Sequence, residues 1–97
     1  MIQVRLEFQA KFGRAGDLAA AFTAYSATPV GQRAHVRILT DLSGPFDTVV
    51  EELEFESFDA WQRSSAAMFA DPAARELFGK TAELIASGHK EFYTIEG

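Results

Sequence analysis

His35 and Arg37 stand two residues apart in "RAHVRILTD" (33–41), and Asp41 falls on the same side of an extended chain. A histidine oriented by a carboxylate is a common proton-transfer pair, and a nearby arginine can hold the anion formed. In a strand, however, His35 and Asp41 lie about 20 Å apart at ~3.3 Å per residue, too far to act together. A base at His35 would need a carboxylate from another strand, and Glu7 and Glu54 are the candidates. His89 follows Gly88 at an expected helix exit, where an imidazole complements the negative helix end.

Tyr25 and Tyr93 bring hydroxyls that can orient a polar group. Trp61, Met68 and Phe69 recur at helical spacing; they fill a core if the helix packs closely and line a pocket if it does not. The candidate pocket residues are therefore Tyr25, His35, Arg37, Trp61, Phe69 and Tyr93, with none given a catalytic role. The two histidines lack metal-ligand spacing and there is no cysteine, so neither a metal nor another cofactor is expected. No Ser-His-Asp order, HExxH or phosphate loop is present, and the glycines of "FGRAG" (12–16) read as a turn.

The net charge of −5 and pI near 4.9 supply no basic footprint for nucleic acid. No run approaches the ~20 apolar residues of a membrane span. The start "MIQVRLEFQAKF" lacks the charge and apolar pattern of a signal peptide, and a cytoplasmic protein is expected. The 97 residues fit one domain with a modest core. Nine phenylalanines suggest aromatic packing and an interface that adds burial.

These side chains need elements to hold them. "IQVRLEFQAKF" (2–12) alternates strictly, with Ile2, Val4, Leu6, Phe8, Ala10 and Phe12 in one row, and predicts a strand. Asp17 can cap a helix over 17–27, striped by Leu18, Ala21, Phe22 and Tyr25. A second strand (33–42), a turn at "SGP" and a third strand (46–56) follow. In the third, Val49, Glu51, Leu53 and Phe55 share a side. Ser57 can cap a helix to residue 70, and Asp71-Pro72 starts another expected to reach 87, stopped by Gly88. "HKEFYTIE" (89–96) is the last strand. The order β-α-β-β-α-β predicts an α+β, ferredoxin-like fold with a four-stranded antiparallel sheet.

One sheet face is apolar and belongs under the helices. The other carries Arg5, Glu7, His35, Arg37 and acids of 46–56, where opposite charges on adjacent strands stabilise. That face either meets water or packs on a second copy at about 10 Å, and a homodimer is expected.

Within "SFDAWQRSSAAMFADPAARELFGKTAELIASGHKEFYTIE" (57–96), Ser-Phe-x-x-Trp opens one helix and Asp-Pro-x-x-Arg the next. A Leu-Ile-x-x-Gly-x-x-x-Phe stretch then leads into the last strand. With "QVRLEFQAKFG" these features resemble the NIPSNAP family of dimeric α/β-barrel proteins. The resemblance implies a subunit whose sheet packs on a partner's to form a barrel. It implies no established catalytic residue. Related barrels include cofactor-free monooxygenases and isomerases, with clefts between sheet and helices. Three readings follow: a protein holding a small apolar ligand there, a cofactor-independent monooxygenase or isomerase acting on an aromatic or polyketide-like substrate, or an interaction module using the acidic surface.

Overall fold

The computed structural model describes residues 1–97. Strand β1 (Ile2–Ala10) leads to helix α1 (Ala15–Ser26), then a short 3-10 turn (Gly31–Arg33). Strands β2 (His35–Thr40) and β3 (Thr48–Phe55) follow, then helices α2 (Phe58–Ala70) and α3 (Pro72–Thr81) and strand β4 (Ile85–Thr94). The sheet order is β2-β3-β1-β4 with every pair antiparallel, so the expected ferredoxin-like arrangement is present. All three helices lie over one face. No helix is long and apolar enough to cross a membrane.

Register decides which side chains meet. On the helix side one row reads Val36, Leu53, Val4, Phe92, and the next reads Ile38, Glu51, Leu6, Lys90. On the open side the rows are Arg37, Glu52, Arg5, Glu91 and then Leu39, Val50, Glu7, His89. The first open-side row alternates in sign across all four strands. The charge matching read from the sequence is thus realised: Arg37 Nε donates to Glu52 at 3.1 Å, and Arg5 reaches Glu7 at 3.2 Å and Glu91 at 3.4 Å.

The tightest packing lies where α1 crosses β1 and β3. Leu18 and Val49 are fully buried there beside Ala10 and Ala15, and Phe22 rests on Phe8 with ring centroids 5.1 Å apart. By contrast α2 contributes no buried residue. It is fastened at its rim by aromatic contacts, Trp61 to Phe92 at 4.8 Å and Phe69 to Phe78 at 5.8 Å.

The boundaries differ from expectation in four instructive places. α1 starts at Ala15 rather than Asp17, because its first amide is served from outside the helix. The Asp47 carboxylate accepts from Gly13 N at 2.9 Å and Ala15 N at 3.2 Å. Asp47 adopts a left-handed φ of 59°, a region aspartate tolerates better than most residues. Asp17 sits in the first turn and pairs with Arg14 at 2.8 Å. Strand β1 ends at Ala10, and Phe12 leaves the apolar row to lie 86% exposed against Phe46.

The largest difference is at the last crossover. α3 ends at Thr81, and Leu84 and Ile85 belong to the entry of β4 rather than to a helical stripe. Lys11 N donates to the Leu84 carbonyl at 2.8 Å, so pairing with the end of β1 overrides local helix preference. Gly88 is no helix stop. It faces Phe8, and a Cβ there would come within 3.2 Å of that ring and of the Glu7 carbonyl. His89 is consequently a strand residue, 3.5 Å from carboxylate oxygens of both Glu7 and Glu91.

Candidate functional site

A cavity of about 340 Å³ lies between the sheet and the three helices, within the size range of small-molecule sites. Fifteen of its 22 lining residues are hydrophobic, so it suits an apolar body. Leu6, Leu53 and Phe55 form the sheet floor, with Phe22 from α1. Trp61, Met68 and Phe69 of α2 and Leu77 and Phe78 of α3 form the roof. The cavity exists because α2 spans the sheet without sinking a side chain into it.

The polar groups in this lining are few. Ser26, Ser64, Ser65 and Thr81 come from the helices, and the ionisable side chains are Tyr25, Glu51 and Lys90. Glu51 is inward because strand alternation puts it between Val49 and Leu53 in register with Leu6. Burial alone pushes its carboxyl up from 4.5 to about 7, with no hydrogen-bond donor or cation of the protein acting on it. Its carboxyl is therefore held by the protein only through its own backbone, and its free side is the cavity. Lys90 lies two strands away on the other side of Leu6. Its ammonium stands 5.0 Å from the Trp61 ring centre and 5.8 Å from that of Phe92, a cation–π arrangement that tethers it at the rim.

Tyr25 lines the cavity but is already engaged. Its hydroxyl donates to Asp71 Oδ2 at 2.9 Å, while Asp71 Oδ1 accepts from Ala73 N and caps α3. Burial first, and then this carboxylate, pushes the phenol up to about 12. Tyr25 is thus a neutral bolt between α1 and the α2–α3 junction over the ordinary pH range.

Of the residues singled out in the sequence, Tyr25, Trp61 and Phe69 come together around this cavity. His35, Arg37 and Tyr93 lie on the opposite, open face of the sheet. There His35 is paired in register with Glu54, and the Tyr93 hydroxyl donates to Glu91 at 2.8 Å. That bond, with Arg5 and His89 nearby, holds the Glu91 carboxyl below its ordinary range. No three His, Cys, Asp or Glu side chains are grouped to hold a metal ion. The ionisable groups that do face the cavity, Glu51 and Lys90, were not among the sequence candidates. The signal for Glu51 was present: a carboxylate in the row of Val49, Leu53 and Phe55.

No family model and no curated protein matches the sequence. Solved structures do match. An uncharacterized NIPSNAP domain protein from Burkholderia xenovorans superposes with a TM-score of 0.88 at 14% identity, covering 99% of this chain and 95% of that one. A NIPSNAP family protein from Agrobacterium tumefaciens gives 0.84 at 14% identity, covering 98% and 85%. A putative antibiotic biosynthesis monooxygenase from Chloroflexus aurantiacus gives 0.68 at 16% identity, covering 100% and 96%. Over nearly its whole length, this chain has the fold of NIPSNAP-domain proteins.

Proposed function

We propose that this protein binds a small, largely apolar molecule carrying one polar group in the cavity between sheet and helices. The supporting observation is an apolar space of about 340 Å³ into which a single unpartnered carboxyl, that of Glu51, projects. The uncharged fluorophore N-phenyl-1-naphthylamine tests this. It should brighten on addition of the protein and bind at least tenfold more weakly to Ser65→Phe, which fills the roof. Equal binding to both proteins, or none to either, would refute the reading.

A cofactor-independent enzyme, monooxygenase or isomerase, is the second reading. It is favoured by the same free carboxyl and by the structural likeness to the Chloroflexus protein. A cytoplasmic location is part of the proposal, since secreted domains of this size commonly rely on disulfides and this chain has no cysteine.

We also propose that the open sheet face pairs with a second copy of the chain. Phe12, Leu42 and Phe46 stand exposed beside that sheet, apolar surface that a partner would cover. Arg37→Glu would set a third carboxylate beside Glu52 and Glu54. Exposed ion pairs contribute only about 0–1 kcal/mol to folding, so the variant should remain folded. Its dimer should dissociate at tenfold or more lower dilution in sedimentation velocity. A wild-type protein that sediments as a monomer at 100-fold above micromolar concentration would sink the dimer.

A further inference from the structure

We infer that the cavity catalyses proton transfer at a carbon next to a carbonyl group, with Glu51 as the base and Lys90 as the cation that holds the developing oxyanion. This rests on the cavity being a ligand site. The two groups flank Leu6 on β3 and β4, the strands either side of β1, so their Cα atoms lie about 10 Å apart, two strand spacings of ~4.8 Å. They form no ion pair with each other. The interval admits the three atoms of a C–C=O unit between a carboxylate and an ammonium, each reaching inward from its strand.

The surroundings favour this chemistry over simple retention of a ligand. A carboxyl isolated from donors and cations, with its ordinary value raised toward neutrality, is a better proton acceptor than an exposed glutamate while still ionised at pH 8. The Lys90 side chain rests against the faces of Trp61 and Phe92, and its donors are not used by any carboxylate. The aromatic walls select the body of the substrate: a ketone or ester whose acidic C–H adjoins an aromatic ring. In the step, the C–H bond breaks and its proton passes to a Glu51 oxygen. The electron pair moves through the carbon–carbon bond to the carbonyl oxygen, which becomes an enolate facing the Lys90 ammonium. Return of a proton to the same carbon gives exchange, and return to a conjugated carbon gives an isomer. No oxidant or further reactant is needed. His35 and Arg37, on the far side of the sheet, take no part.

The probe is 2-tetralone, an apolar bicyclic ketone with a benzylic position next to its carbonyl. Binding is read from Trp61 fluorescence, and deuterium incorporation at that carbon in D2O from proton NMR against a protein-free control. Wild-type protein should bind it and accelerate exchange. Glu51→Gln should bind it equally and lose about 100-fold of the acceleration, the low end for a general base. Lys90→Met should lose about 100-fold, the low end for one oxyanion donor. Binding without acceleration, or equal acceleration by Glu51→Gln, overturns the proton-transfer inference and leaves the ligand site standing. Absence of binding at millimolar ketone overturns both.

Discussion

Glu51→Gln should make the protein more stable than wild type at pH 8 and equally stable at pH 4. In the folded chain the Glu51 carboxyl is held up at about 7, against 4.5 for the unconstrained group. The folded state therefore keeps this proton where the unfolded chain has released it. Stability from this group is complete below the unfolded value, falls as pH rises between 4.5 and 7, and stays lost above. Each tenfold mismatch is worth ~1.4 kcal/mol, and part of the carboxyl surface still faces the cavity, so the loss at pH 8 is about 2 kcal/mol. For a chain of this length that corresponds to roughly 10 °C in melting temperature. Glutamine keeps the shape and cannot ionise, so its advantage should grow with pH across this window. The other ionisable groups of the cavity, Lys90 and Tyr25, are common to both proteins. Melting curves at pH 4, 6 and 8 check the prediction; a difference between the two proteins that does not vary with pH would show that Glu51 is well hydrated.

Gly31→Ala should cost about 3 kcal/mol or more. The turn after α1 folds back over the helix end so closely that a Cβ at residue 31 would stand 2.0 Å from the Tyr25 carbonyl oxygen and 2.9 Å from Ser26 Cα. Both are backbone atoms and cannot rotate aside, so either the helix end or the turn must move. Overpacking of a closed site typically costs about 1–3 kcal/mol where side chains can adjust, and here they cannot help. Gly79→Ala provides the contrast. It lies in α3 with nothing within 4 Å of a Cβ, and should be stabilised by about 0.5–1 kcal/mol through helix propensity. Urea denaturation of the two variants should move in opposite directions. Equal midpoints would mean that the turn yields to an added methyl group without cost.

Much of the architecture was legible because its signals are local. The alternation of β1, the Ser57 cap, the Asp71-Pro72 start and the turn glycines Gly13 and Gly44 act within a few residues, and each feature they mark is present, whereas Gly16 lies in the first turn of α1. What escaped was set by distant partners. Leu84 and Ile85 fit a helical stripe as well as a strand, and only pairing with the end of β1 decides between them. The first α1 amide is served by Asp47, 32 residues from Ala15 in sequence, so Asp17 looked like the cap. The site was half legible. Trp61, Phe69 and Tyr25 follow from helix faces, but His35 and Arg37 drew notice because histidine and arginine commonly do chemistry. Their strand phase puts them outside. Glu51 was overlooked because acids crowd residues 51–56, and only its parity separates it from Glu52 and Glu54, which point outward.

The roof helix carries one more consequence. An element that buries none of its residues is moored by its edges, through Phe58 and Trp61 on Phe92, Phe69 on Phe78 and the Tyr25–Asp71 bond at its end. Such a segment can breathe away from the sheet while Leu18 and Val49 stay sealed, so its amide protons would trade with solvent long before those of α1. The same partial opening gives a guest wider than the resting mouth its way in, and a seated guest would quiet it.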